Sequence, residues 1–490
     1  MRGRCALVGV LGLLTLAQAA GAAADRLASF DAYAQERLDE WRVAGAAVAI
    51  IEQGAIVHRL QLGEADTETG APVTAATRFQ VGSISKPVAA WVVMTLVAQG
   101  RVDLDRPISA YVKSWQLPES TYRSDEVTVR RVLSHTAGLS LGGYPGFRRD
   151  KALPTTVESL GGATNGSGSV EIFAEPGEAF SYSGGGYTLL QLLVEDLTGM
   201  PFDAYAQGAV LDPLGMHASS YLPSAEALRA LATPHGVRRD PTVHHHFRAQ
   251  AAASLHSTAD DLARFIVANF GDSPAPLGRD LILAMHQPIA EVDEDTNIGM
   301  GFFLSRDGAL VGHSGSNLGW KAHMQFAPGD RSGIVVLTNS ESGGAFGAEL
   351  VCRWDRDFGP GALAAPCAKS RDEIQALRSQ TRWGALALSV VAGLGAAAMI
   401  GLLMLGTLSL VRPRGLRAVL AFGGIALGGL FALFFYTPWG ALVIAGMPTP
   451  FMTIDHLPPG FLAVSLAGLA LWLVLLGATA VRKRGSARSG

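Results

Sequence analysis

Residues 78–93, "RFQVGSISKPVAAWVV", set Ser83 and Lys86 three positions apart with Pro87 directly behind. A serine and a glycine before an apolar run are the usual signature of a helix start. The other reading is chemical, a nucleophile beside its base, and composition favours it. The chain holds 39 Lys+Arg, of which six are lysine (86, 113, 151, 321, 369 and 483), leaving 33 arginines. In a chain that takes Arg for positive charge, a lysine at 86 stands out, because Lys can lose its proton near neutrality and Arg cannot. Ser-x-x-Lys is a weak pattern alone, yet none of the other five lysines has Ser three residues earlier.

Positions i and i+3 share a helix face, so Lys86 Nζ is within reach of Ser83 Oγ. Serine is a poor nucleophile without a neighbouring base. A lysine fills that role only if its pKa falls roughly three units from about 10.4, a change worth about 4 kcal/mol. Burial on an apolar helix supplies such a shift by disfavouring the charged form. Pro87 pushes Lys86 away from α geometry but is tolerated in a first helical turn. Ser83–Lys86 is therefore expected as an imperfect first turn.

The 490 residues are 49% hydrophobic and 17% charged, too apolar for one soluble domain and too charged to be membrane throughout. Net charge is −3, and no basic stripe with interleaved aromatics appears, so no nucleic-acid partner is expected. Residues 1–24 read as a secretory signal: Arg2 and Arg4, then "CALVGVLGLLTLAQAA", then small residues. An uncleaved anchor helix is the alternative. Residues 383–411, 416–446 and 461–481 are nearly uncharged, and each reaches the roughly 20 residues that cross a bilayer core. Three transmembrane helices within 383–481 are expected. The short loop with Arg412, Arg414 and Arg417 and the tail 482–490, "RKRGSARSG", are basic, whereas "MPTPFMTIDHLPPG" has no Lys or Arg. Positive charge inside places both basic segments in the cytoplasm and the large region before the first span outside, as the signal also requires. A multi-pass inner membrane protein of bacterial type is expected, with the lipid bilayer as partner and helices that offer a surface to a partner protein.

Cys5 would leave with the signal, and Cys352 and Cys367 form an even pair in an oxidising compartment. A disulfide between them is expected, with two free thiols as the alternative. Residues 25–370 have globular composition. "RLASFDAYAQERLDEW" (26–41) is spaced as a helix. "AAVAIIEQGAIVHRLQLG" (46–63) reads as a hairpin around Gln53-Gly54, and 323–340 repeats the pattern around Pro328-Gly329-Asp330. Helical stretches such as "VAAWVVMTLVAQG" and "YTLLQLLVEDLTG" lie between and end in glycine. Strands at both ends and helices in the middle predict an α+β fold with one sheet built from the two termini. Residues 371–382 read as a polar connector.

Five segments then occur in order: "GEADTETGAPVTAATRFQVGSISK", "VTVRRVLSHTAGL", "AEPGEAFSYSGGGYTLLQLLVEDLTG", "LDPLGMHASS" and "GHSGSNLGWKAHMQFAPGDRSGIVVLTNS". They resemble the landmark segments of the serine β-lactamase and penicillin-binding superfamily, in its class C β-lactamase, D-peptidase and esterase branch. The resemblance covers most of residues 45–345. It implies an antiparallel sheet flanked by helices with a helical subdomain. It makes Ser83 the acylated nucleophile and Lys86 its partner. Tyr182, within Tyr182-Ser183-Gly184, becomes the second acid/base group. His313-Ser314-Gly315 becomes the strand motif bordering the site, with His313 catalytic and Gly184, Ser314 and Gly315 binding substrate. The amides of Ser83 and Ser316 would form the oxyanion hole. Two departures stand out. Gly184 replaces the usual Asn, and His313 replaces the Lys of many β-lactamases, a fixed charge exchanged for a group that titrates near pH 6.5.

His135 in "LSHTAGL" reads as structural. "HHHF" (244–247) reads as a surface loop rather than a metal site, because consecutive side chains diverge. Trp320 and His323 either line the pocket or pack. No cofactor and no metal is expected. These readings converge on a membrane-anchored extracytoplasmic serine hydrolase acting on a peptide or amide of D-amino-acid or prodrug type, the layout being similar to membrane peptidases that remove prodrug groups from non-ribosomal peptides. Esterase or weak β-lactamase activity is the near alternative. A penicillin-binding sensor acylated without turnover is the alternative of another class.

Overall fold

The computed structural model describes residues 2–272, 276–364 and 367–368. Among the described residues no helix is long and apolar enough to cross a membrane. The three spans expected at 383–481, the connector 371–382 and the tail 482–490 lie outside the described residues. The chain divides into two units at Cys367/Ala368, and the first of them carries the sheet.

Nine strands form one antiparallel sheet: β1 (Gly45–Glu52), β2 (Ala55–Asp66), β3 (Ala71–Pro72), β4 (Ala290–Glu291), β5 (Thr296–Ile298), β6 (Phe303–Ser305), β7 (Val311–Asn317), β8 (Trp320–Ala327) and β9 (Ser332–Thr338). Their order is β3-β2-β1-β9-β8-β7-β6-β5-β4. The ends of the domain therefore meet at the centre, where β1 pairs with β9 from Ala46↔Thr338 to Ile51↔Gly333. Both central strands are buried on both faces, which is why "GAAVAIIE" and "SGIVVLT" are continuous apolar runs rather than alternating ones. The turn at Gln53-Gly54 has φ +50° and +79°, the two left-handed residues that a tight two-residue hairpin needs.

One face of the sheet, through Val48, Ile50, Ile334 and Val336, packs on α1 (Arg2–Trp41) and a C-terminal helix, α5 (Gly343–Asp357). Phe30, Ala34 and Leu38 of α1 and Phe346, Leu350 and Trp354 of α5 fill that layer, at the spacing of one helical stripe. The other face, through Ala49, Ile51, Val335 and Leu337, packs on α4 (Ala259–Ala268), and α2 (Ser85–Ala98) and α3 (Gly184–Thr198) belong to the same core. Helix α2 is buried from Ser85 through Leu96. A helix apolar all round belongs in the core, and here it carries Lys86 in with it. Helix α3 ends on Gly199 with φ +69°, the left-handed stop expected of that glycine.

Cys352 on α5 is bonded to Cys367, with Cα atoms 5.8 Å apart. Within the loop, the buried Asp355 carboxylate accepts hydrogen bonds from the amides of Gly361 (3.1 Å), Ala362 (3.2 Å) and Leu363 (2.8 Å). The bridge and this carboxylate fold the segment back onto α5. Replacing both cysteines by alanine is expected to cost about 3 kcal/mol for a loop of this size, read as a fall in the urea midpoint of the oxidised chain.

Candidate active site

The proposed nucleophile lies where the sheet meets the helical side. Residues Gly82–Ile84 form one 3₁₀ turn that runs into α2 at Ser85, the imperfect first turn expected ahead of Pro87. Two glycines seat this turn on β7. Gly82 has φ +52°, and a Cβ there would stand 2.6 Å from the Ser316 nitrogen. A Cβ on Gly315 would collide with the Val81 carbonyl oxygen and stand 3.1 Å from the Ser83 nitrogen. The chain thus brings the amides of Ser83 and Ser316 close together, as an oxyanion hole requires. Pairing of β6 with β7 ends at Phe303↔Gly312, so the strand edge beyond Gly312 faces the Ser83 turn instead of another strand. Ser85 holds the turn from inside. Its Oγ donates to Gly82 O (2.6 Å) and accepts from Leu255 N (2.9 Å), while the Tyr221 hydroxyl donates to Ser85 O (2.7 Å).

Lys86 is 2% exposed. Its Nζ lies 3.0 Å from Ser83 Oγ and donates to the Ala252 carbonyl at 2.8 Å. Burial pushes its pKa down to about 7, because a low-dielectric site disfavours the ammonium. A neutral amine that gives one N–H to Ala252 O keeps a lone pair for the Ser83 proton. The turn carrying Ala252 is itself held: Gln191 Oε1 on α3 accepts from the amides of Gln250 (2.8 Å) and Ala251 (3.4 Å).

The Tyr182 ring lies 4.8 Å from Lys86 Nζ. Burial raises the phenol pKa, and a side-chain hydrogen bond with Ser83 opposes that rise. Tyr182 is therefore a neutral O–H donor at ordinary pH. His135 holds the Tyr182 segment. Its Nδ1 accepts from Ser183 N (3.0 Å), its carbonyl accepts from Ser181 N (2.7 Å), and its ring packs 4.4 Å from that of Tyr182. The structural reading of His135 fits this geometry.

His313 departs from its expectation. Burial, then the neighbouring Lys86 charge, push its pKa down to about 3, against a weaker opposing hydrogen bond with Ser314 O. It is a neutral ring packed between Phe303 (5.0 Å) and Tyr182 (6.2 Å), not a group that titrates near pH 6.5. Gly184 is buried, and a Cβ there meets Leu141 O and Tyr144 at 3.3 Å. The space of the missing amide is walled by Tyr144, and Lys86 takes the Ala252 carbonyl as its second partner. Ser314 and Ser316 are exposed on the opposite side of β7 from the buried His313.

Trp320 and His323 both pack. Trp320 stands edge-on to Phe79 at 6.2 Å, and Gly347 of α5 presses against the His323 ring. The "HHHF" loop is half-buried rather than on the surface. His245 Nδ1 bonds Pro145 O (2.8 Å) and His246 Nε2 bonds Lys151 O (3.0 Å), while His244 packs 5.7 Å from His256. Among the described residues no cluster of His, Cys, Asp or Glu is arranged to hold a metal. Sequence reasoning missed Ala252, Gln191 and Tyr221. Backbone carbonyls carry no signal in a sequence, but Ser85, inside the quoted motif, could have been read as the brace of the turn.

Residues 30–350 match the family model described as Beta-lactamase. The chain is 30% identical over 345 residues to Penicillin-binding protein 4 of Amycolatopsis lactamdurans, covering 65% of this chain and 88% of that protein. It is 30% identical over 233 residues to Esterase EstB of Burkholderia gladioli, covering 45% of this chain and 57% of that one. A crystal structure of SurE with D-Leu superposes with TM-score 0.55 at 27% identity, covering 68% of this chain and 76% of that chain. With the family model spanning well over half of its residues and the Ser83–Lys86–Tyr182 constellation assembled on the sheet, this chain belongs to the beta-lactamase family of serine hydrolases.

Proposed function

We propose that this chain is a membrane-anchored extracytoplasmic hydrolase that opens an amide bond of a peptidic substrate, D-amino-acid or prodrug in type, through an acyl-enzyme on Ser83. The observation that carries the reading is the 3.0 Å approach of a lysine at about pKa 7 to the Ser83 hydroxyl. Neutral Lys86 takes the Oγ proton as Oγ bonds the carbonyl carbon, and the displaced electron pair sits on an oxygen facing the amides of Ser83 and Ser316. Collapse breaks the C–N bond, and the Tyr182 hydroxyl, reprotonated from the Lys86 ammonium, gives its proton to the leaving amine. Water then bonds the ester carbon as neutral Lys86 takes its proton, the C–Oγ bond breaks, the proton passes through Lys86 and Tyr182 to Oγ, and the acid departs. The ammonium formed on the way sits over the Tyr182 ring, a favourable place for a cation.

The signal sequence and the three C-terminal apolar segments support the extracytoplasmic, anchored location. The likeness to a structure with bound D-Leu supports the D-amino-acid class. The 30% identity to Esterase EstB favours esters as the second reading. The test exposes the purified full chain to p-nitrophenyl esters, D- and L-aminoacyl p-nitroanilides and a fluorescent penicillin, beside Ser83→Ala. Turnover of D-aminoacyl anilides that vanishes in Ser83→Ala is expected. Ester turnover alone moves the assignment to esterase. A single acylation without release replaces it by a sensor, and wild-type rates in Ser83→Ala contradict it.

A further inference from the structure

We infer that Lys321 is a positioning residue of the oxyanion hole, acting through Ser316; the inference rests on the acyl-enzyme reading. The residue that offers its amide at the hole, Ser316, pairs across the β7–β8 hairpin with Lys321. Lys321 Nζ donates to Ser316 Oγ at 2.8 Å. The same ammonium bonds Glu341 Oε1 at 2.5 Å, and Glu341 Oε2 accepts from the Gly319 amide at 2.7 Å. One carboxylate thus grips both the hairpin tip and the lysine, and the lysine grips the serine. Glu341 is fixed in turn, its amide donating to His235 O at 2.9 Å.

The strand needs such a brace. Beyond Gly312, β7 has lost its β6 partner, so the segment bearing Ser316 is held by β8 on one side and by the Ser83 turn on the other. A shift of about 1 Å in a catalytic donor is enough to cost on the order of 100-fold. Lys321 also brings charge. Its side chain is 15% exposed and paired with Glu341, so water screens it only in part. Losing the ammonium would leave the Glu341 carboxylate unpaired beside Ser316, and uncompensated negative charge there disfavours the negatively charged transition state.

The experiment labels the full chain with a fluorophosphonate, whose phosphoryl oxygen takes the oxyanion position. Labelling is followed by intact mass over a concentration series that separates the maximal rate from the half-saturating concentration. Lys321→Gln keeps a hydrogen-bond donor without the charge, Lys321→Arg keeps the charge, and thermal unfolding monitors the fold. The maximal rate is expected to fall about 10- to 30-fold in Lys321→Gln, with half-saturation within about twofold, and to stay within about threefold of wild type in Lys321→Arg, in the range for supporting residues around a reactive centre. A wild-type rate in Lys321→Gln, or equal losses in both variants that follow a fall in Tm, overturns the inference. Ser83→Ala separates the two levels. If it labels like wild type, the acyl-enzyme reading fails and takes the inference with it; if it is silent while Lys321→Gln labels normally, only the inference fails.

Discussion

Lys86→Arg lowers the acylation rate at least about 100-fold in a chain that still folds. Arginine cannot shed its proton in a protein, so the variant removes the base and fixes a charge that the wild-type lysine loses above about pH 7. The wild-type pH profile gives the same answer independently. With the Lys86 pKa pushed to about 7, the acylation rate rises about tenfold per pH unit below 7 and levels off above it, because only the neutral amine accepts the Ser83 proton. Lys86→Arg loses that rise. Stability runs the other way. Between pH 7 and the unfolded value of 10.5 the unfolded chain binds more protons at this site than the folded one, so Lys86 weakens the fold most at and below pH 7 and the penalty fades as pH rises toward 10.5. The shift is equivalent to about 4 kcal/mol at neutral pH. Lys86→Met is therefore expected to be inactive and more stable than wild type at pH 7, measured by urea unfolding.

Gly315→Ala is the second large effect. The added Cβ would occupy the place of the Val81 carbonyl oxygen and crowd the Ser83 amide at 3.1 Å. Both neighbours are backbone, so no side-chain rotation relieves the clash, and β7 and the Ser83 turn must part. The oxyanion amides separate with them. Loss of one such donor costs roughly 100- to 1000-fold, and activity is expected to fall by at least the lower figure. Gly315 pairs with Ala322 on β8 in the body of the sheet, so stability falls as well. Fluorophosphonate labelling at a temperature well below the variant's own Tm isolates the chemical part of the loss.

Much of this architecture was legible in the sequence because its signals are local. The hairpin at Gln53-Gly54, the apolar runs of β1 and β9, and the glycine that ends α3 are each written in a few consecutive residues. Ser83 and Lys86 were readable for the same reason: one helical turn brings them together. The histidines were not. The environment of His313 is set by Phe303, Tyr182 and Lys86, which come from three separate segments, and no pattern in the chain announces that a motif histidine will be buried and neutral. The "HHHF" run misled for a related reason. Diverging consecutive side chains suggested a surface loop, but tertiary contacts hold the run: His245 and His246 bond Pro145 O and Lys151 O, and His244 packs on His256. The Ala252 carbonyl and the Lys321–Glu341 brace depend on contacts 166 and 20 residues apart in the chain, and only the fold supplies those.

The most direct measurement is the rate of covalent capture at Ser83 by a fluorophosphonate, followed by mass from pH 5.5 to 9 in wild type and Lys86→Arg. A single inflection near pH 7 that disappears with the lysine is the result expected of a neutral-amine base. A rate independent of pH over that range, or an identical inflection in Lys86→Arg, would show that some other group activates the serine.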